Sequence, residues 1–242
     1  MVTAWRARRA QGAAREYALS RSAASGTAWR DAHYCVVDLE LSGLDPRRHE
    51  IISFGAIPID EGRVRLAGAV HGLVRPQRPL AEDAIRVHGI RAADLAGAPS
   101  LAEALEVLLA AMAGRVVGDQ HAAVERAFLI PALRSVGVRL RGPVIDTAVL
   151  GRLWLAERDG VVPRRMSLAE LTAAIGLPAH SPHTAIGDAL TTAQLFIAAA
   201  THLDALRPET VRRLASAGTA LANLRVYQLS GHVETARANP AP

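Results

Sequence analysis

Between Tyr34 and Leu203, short apolar runs of strand length alternate with longer segments of helical period, and that alternation restricts the fold more than any other feature. Tyr34-Cys-Val-Val37 reads as a buried strand. Ile51 to Ile59 and Arg63 to Val74 follow, joined at Asp60-Glu61-Gly62, whose turn chemistry argues an antiparallel hairpin. A proline-punctuated loop through Pro76 and Pro79 comes next. Ser100-Leu-Ala-Glu103 is a capping box that opens a helix to about Ala113, with Gly114 placed to end it. Arg115 to Gly118 is then a short strand, His121 to Val136 a helix, Pro143 to Asp146 a strand and Thr147 to Glu157 a helix. Ser167-Leu-Ala-Glu170 repeats the capping box for a helix that stops at Gly176, and Ala189 to Leu203 is a long helix with polar residues at its entry. A hairpin extended by strand-helix alternation implies an α/β fold, a mixed five-stranded sheet with helices on both faces.

A chain of 242 residues, 50% hydrophobic, can bury one substantial core. Its single cysteine, Cys35, permits no intramolecular disulfide and sits in the first strand as a small apolar residue, which fits a reducing, cytoplasmic location. The N-terminal stretch lacks the continuous apolar run of a secretory signal, and Ala189 to Leu203 is too short and too polar to span a bilayer. The net charge of +5 is unevenly spread, with +4 in residues 1–32, +2 in residues 204–242 and −1 between them. There is no lysine, so every cation is a guanidinium, a group suited to phosphate contact. The division read from this is a basic N-terminal helical or loose arm (1–32), a central domain (33–203), and a C-terminal helical extension with a disordered tail (204–242). The basic flanks reflect either a compositional bias toward arginine or arms that meet nucleic acid or a protein partner.

Chemistry enters at the end of the first strand, where Asp38 and Glu40 stand one residue apart. Side chains at i and i+2 of a strand share a face, so two carboxylates project together beside the turn Ser42-Gly43-Leu44-Asp45-Pro46, where they either call for a cation or form an ordinary solvated loop edge, and the residues around them must decide. Far along the chain, His183 leads Asp188 by five residues at the entrance of the last long helix. On one continuous helix that spacing would splay the two side chains about 140° apart. His183 is therefore placed in or just before the first turn and Asp188 within the helix. Between these sites, Asp119-Gln120-His121-Ala122-Ala123-Val124-Glu125 would be delivered to the same sheet edge as Asp38, with Glu125 on the first turns of a helix.

Taken in order, Asp38-Leu-Glu40-Leu-Ser42-Gly43, the acid before Phe128-Leu129, Asp146-Thr147, and His183 to Asp188 resemble the motifs of DEDD-type 3′-to-5′ exonucleases of the histidine subtype, the family of the proofreading epsilon subunit of bacterial DNA polymerase III. The resemblance covers about residues 33–203 and implies a ribonuclease-H-like fold. It also implies that Asp38, Glu40, Glu125 and Asp188 are metal ligands for two divalent cations, Mg²⁺ or Mn²⁺, and that His183 is the general base. Leu41, Ser42 and Gly43 fall in the turn that receives the terminal nucleotide, Ser42 standing where the family usually has Thr. The second motif departs from the pattern: where the family has His-Asn and then Phe-Asp, this chain has Gln120-His121 and then Val124-Glu125. The longer Glu125 reaches a metal either directly or through a bound water. His121 is read either as a substrate contact or as a loop closure, Asp146 as a helix cap, and His88 as structural.

The reaction implied is cleavage of a phosphodiester by a water activated between two cations about 3.5 to 4 Å apart, with an imidazole taking the proton. The expected substrate is the 3′ end of single-stranded nucleic acid, DNA in preference to RNA, released as nucleoside monophosphates. The alternatives carried forward are an exoribonuclease on short RNA and a catalytically degenerate module that only binds nucleic acid or a partner.

Overall fold

The computed structural model describes residues 10–224. The tail expected to be disordered, 231–242, and the first nine residues lie outside that range. Within it the elements are α1 (Gly12–Leu19), β1 (Tyr34–Leu41), β2 (Ile51–Asp60), β3 (Arg63–Val64), β4 (Val70–Leu73), α2 (Glu82–His88), α3 (Ala92–Leu95), α4 (Leu101–Met112), β5 (Val116–Asp119), α5 (Ala122–Ser135), β6 (Val144–Asp146), α6 (Thr147–Asp159), α7 (Leu168–Ile175), α8 (Ala185–Leu206) and α9 (Val211–Ala215). No helix among the described residues is long and apolar enough to cross a membrane.

The sheet is mixed α/β as expected, with one more strand than the five read from the sequence. Its order is β3-β2-β1-β5-β6, and β4 also pairs with β2. The third apolar run divides into β3 and β4 around a 3₁₀ turn at Leu66–Gly68. Pro58 of β2 lies opposite the break. It has no N–H to give a ladder, and Gly68 packs against its ring. The β1–β2 hairpin is antiparallel, with Asp38 opposite Gly55 and Glu40 opposite Ser53, whereas β5 runs parallel to β1 only along Tyr34 to Val36.

Alternation along β1 sorts the two cores. Cys35, Val37, Leu39 and Leu41 face one cluster, together with α4 and α5 residues such as Leu105, Leu109 and Leu129. Tyr34 and Val36 face the other, against Phe196, Ala199 and Leu203 of α8. Tyr34 and Trp29 both meet the Phe196 ring, at centroid distances of 4.7 and 6.1 Å. The flanks extend these same cores: Ala14 and Tyr17 of α1 join the first, and Trp29, Val211 and Leu214 join the second.

Both capping boxes form as written. Ser100 and Glu103 close the N-terminus of α4, and Ser167 and Glu170 that of α7, where Gly176 ends the helix in the left-handed conformation. The segment after Pro79 holds two short helices, α2 and α3, that the proline-rich composition hides. α5 runs on through Pro131.

Candidate active site

Asp38 and Glu40 continue the Tyr34–Val36 face of β1, so both carboxylates rise toward the layer that contains α8. What lets α8 come close is Gly55, the β2 residue opposite Asp38: a Cβ there would sit 2.3 Å from the Ala185 carbonyl oxygen. The first turn of α8 lies directly on this glycine. Asp188 is therefore brought over the strand, and Asp38, Glu40 and Asp188 each present a carboxylate oxygen within 4.8 Å of the others.

The entrance to α8 is built tightly. Thr184 is the N-cap, its hydroxyl accepting from the Gly187 N–H at 3.3 Å. A Cβ on Gly187 would meet the carbonyl oxygens of His180 and Ser181 at 2.2 and 2.4 Å, so the loop carrying His183 folds down over the helix start. His183 stands one residue before the cap, exposed, with a left-handed φ of 62°. Its amide N–H donates to Asp188 Oδ2 at 3.0 Å.

Glu125, in the first turn of α5, enters from the other side of β1. Beyond Val36, β5 no longer pairs with β1, and this opening admits the Glu125 carboxyl. Burial holds its pKa well above the ordinary carboxylate range, reinforced by the charges of Asp38, Asp119 and Glu40, and only the Leu39 main-chain amide opposes the rise. Glu125 Oε2 is buried with no hydrogen-bond partner among the described residues.

A fifth acid belongs to this group, and no sequence motif singled it out. Asp119 ends β5, is 2% exposed, and leaves Oδ1 without a partner among the described residues. Burial and the charge of Asp146 push its pKa up to about 8. Glu40 is pushed up to about 7 by burial and then by Asp188, while burial and the charges of Asp188, Glu40 and Asp119 raise Asp38 well above its usual range. Asp188 itself is raised by burial. The one sequence signal for Asp119 is its place as a charged residue at the end of an otherwise apolar strand.

This is a dense set of carboxyls in which, among the described residues, no member forms an ion pair, and two of its members have orphaned oxygens. Hard divalent cations satisfy such a donor set, whose members are all carboxylate oxygens. Asp38, Glu40 and Asp188 therefore fit the metal that the sequence motif implies, whereas Glu125, coupled to them through charge, lies outside the set whose oxygens fall within 4.8 Å of one another.

The remaining expected residues divide. Leu41 and Gly43 line a cavity of about 510 Å³ that also touches Glu40 and Glu125 and is otherwise bounded by Leu44, Val87 and Val124 among others. Ser42 turns inward: its hydroxyl accepts from the Glu50 N–H at 2.9 Å and closes the loop that follows β1. His121 is the exposed N-cap residue of α5 and does not line the cavity. Asp146 is a cap, as its position suggests, accepting from Val149 N–H at 3.1 Å through one oxygen and from Ala122 N–H at 3.3 Å through the other. It thereby ties the starts of α5 and α6 together. Gln120 is buried with its side-chain oxygen 2.7 Å from the Thr147 hydroxyl. His88 borders the cavity, its Nδ1 accepting from the Ile90 N–H at 3.0 Å.

Comparison with known proteins gives a consistent picture. The family model RNase T, described as exonuclease, matches residues 35–196. A DNA polymerase III subunit epsilon-like protein of Rhodobacter capsulatus is 34% identical over 168 residues, which is 68% of this chain and 23% of that protein. The DNA polymerase III subunit epsilon of Aquifex aeolicus is 27% identical over 170 residues, 69% of this chain and 80% of that protein. The chain spans less than a quarter of several other relatives, including 12% of the PolC-type DNA polymerase III of Thermotoga petrophila. Two solved structures share the fold. Exonuclease X in complex with 5′ overhanging duplex DNA aligns with a TM-score of 0.58 at 21% identity, covering 76% of this chain and 98% of that one. The nuclease domain of 3′hExo, a DEDDh family member bound to rAMP, aligns with a TM-score of 0.57 at 17% identity and the same coverage.

Proposed function

We propose, from the premise that this chain belongs to the RNase T exonuclease family and is a nuclease of the DEDDh kind, that it hydrolyses phosphodiester bonds from the 3′ end of single-stranded DNA and releases nucleoside monophosphates. The observation that carries this reading is the convergence of Asp38, Glu40 and Asp188 within 4.8 Å, with Glu40 also lining the cavity that Glu125 borders.

Asp38, Glu40, Glu125 and Asp188 would hold two divalent cations, Mg²⁺ or Mn²⁺. Bound there, these would neutralise the acids toward a polyanionic substrate and supply positive charge to the attacking and leaving oxygens. His183, exposed and fixed to Asp188 through its own amide, would take a proton from the attacking water as the P–O3′ bond breaks. The apolar cavity would receive the terminal nucleoside, with Leu44 and Val87 offering apolar surface to its base: Leu44 is 82% exposed and Val87 57%. Asp119 would set the charge of the cradle from beneath.

DNA is favoured over RNA because the relatives of higher identity are named for DNA polymerase III. Such relatives also make a polymerase a candidate protein partner for the flanking segments. The test is degradation of single-stranded DNA and RNA oligonucleotides, each labelled in separate reactions at the 3′ or the 5′ end, with Mg²⁺ or Mn²⁺. Immediate release of a labelled mononucleotide from the 3′ label and a descending ladder from the 5′ label are expected, with DNA consumed faster. Binding without degradation in either metal would replace this reading with a non-catalytic module.

A further inference from the structure

We infer that a second cavity, built from arginines along the outer side of α5, holds backbone phosphates of the substrate strand several nucleotides from the end being cut. This rests on the nuclease reading above and names how the strand is held beyond the cradle. The cavity is about 280 Å³ and is lined by Arg126, Arg134 and Arg139 over an apolar floor that includes Ile130, Leu140 and Val144. No acidic residue lines it.

All three arginines are exposed. Among the described residues none of the three makes an ion pair or a side-chain hydrogen bond; Arg47, Arg48 and Arg63 also lack a carboxylate partner, but only Arg126, Arg134 and Arg139 line this hollow together. The neighbouring Arg141 is already committed to the Ala18 carbonyl at 2.5 Å and takes no part. Three unpaired guanidiniums around one hollow repel one another until an anion enters, and their planar forks match phosphate oxygens.

The position identifies the anion. Arg126 follows Glu125 directly, and its charge is felt at Asp119, where it opposes the rise in that carboxyl's pKa. Arg126, Ile130 and Arg134 lie at i, i+4 and i+8, a stripe that runs about 12 Å down one side of the helix, away from the acids. A strand with its 3′ end among the carboxylates would find in this stripe a cationic path on the same helix that delivers Glu125. An acidic peptide could satisfy the arginines equally, but nothing would bring it to the carboxylate end.

The test is fluorescence anisotropy with a single-stranded dodecamer and with a dinucleotide, each 5′-labelled and carrying a phosphorothioate at its 3′-terminal linkage, in Mg²⁺. The Arg134→Gln/Arg139→Gln double variant is compared with wild type, and the two single variants are carried alongside in case the double variant lowers the melting temperature. The ratio of dodecamer to dinucleotide affinity is expected to fall on the order of tenfold, and the slope of log affinity against log salt for the dodecamer to flatten by about 1.4, the loss of two single-strand phosphate contacts. An unchanged ratio and slope in protein that degrades DNA would overturn this inference alone. Loss of dodecamer binding in the variants, in protein that releases no mononucleotide, would instead sink the proposed function and leave the arginine site standing. A polyglutamate peptide that binds wild type more tightly than the dodecamer, and is lost in the variants, would also overturn it.

Discussion

His183 donates its main-chain N–H to Asp188 Oδ2 at 3.0 Å, so the proposed base and a proposed metal ligand are fixed to each other through the backbone and not through the imidazole. Among the described residues the ring makes no hydrogen bond, and the backbone takes a left-handed φ of 62°, a region that is uncommon for residues other than glycine, though histidine enters it more readily than most. Two readouts therefore move separately. His183→Gly and His183→Ala are each expected to lower kcat by a factor on the order of 10² to 10⁴. The glycine variant should keep or slightly raise the melting temperature, because glycine accepts this φ without strain. Steady-state kinetics beside thermal melts would check this, and wild-type turnover in either variant would remove His183 from the mechanism.

Gly55 links the sheet to the site. It faces Asp38 across the hairpin, and a methyl group there would collide with Ala185 and Ile186 at the start of α8. Gly55→Ala must lift the helix that carries Asp188 away from Asp38 and Glu40. Overpacking of this kind costs about 1–3 kcal/mol, so chemical denaturation should show a loss of that size. Metal-dependent turnover should fall by more than the loss of folded protein accounts for. If the variant were destabilised but turned over normally per folded molecule, the approach of α8 would not be what assembles the cradle.

Glu125 gives a sharper test because charge and size can be separated. Glu125→Gln keeps the length of the side chain but removes one of several crowded charges whose pKa values burial and mutual repulsion raise. At pH 8 without metal, the variant is expected to melt higher than wild type. With Mn²⁺ it should lose turnover by a factor on the order of 10² and gain less from the cation. A variant as active as wild type would show that the carboxyl at this position is not a ligand.

How much was legible in the sequence depended on how local the signal is. Both capping boxes, the hairpin turn at Asp60 to Gly62 and the strand-borne Asp38/Glu40 pair follow from spacings of two to four residues, and all appear in the structure. The placement of His183 before the helix and Asp188 within it follows equally from helical geometry. Less visible was anything set by packing at a distance. The break between β3 and β4 depends on Pro58 in another strand, and the short helices α2 and α3 lie in a polar, proline-flanked stretch with little periodicity. Asp119 reads as the polar end of a strand, because only the assembled sheet shows that it is buried where Asp146 and Glu125 both feel its charge or lend it theirs. The inward turn of Ser42 likewise depends on its contact with Glu50, eight residues on.

The raised acids make stability and metal binding depend on pH in a stated direction. Glu40 moves from an ordinary value of 4.5 to about 7, and Asp119 from 3.8 to about 8. Between these limits the folded protein holds protons that the unfolded chain has released, so stability must fall as pH rises through the window. The contribution from these two groups is fully present below about pH 4, is lost progressively up to about pH 8, and is flat above. A divalent cation reverses this by replacing the protons, since it binds the ionised carboxyls. The melting temperature of the metal-free protein is therefore expected to decline from pH 5 to pH 8, and the rise produced by Mn²⁺ to be small at pH 5 and largest at pH 8. Calorimetry in two buffers of different ionisation enthalpy should record protons released on binding near pH 7, fewer at pH 8.5. A Mn²⁺-induced shift of equal size at pH 5 and pH 8, with no proton release, would mean that the cation binds somewhere other than among Asp38, Glu40, Glu125 and Asp188.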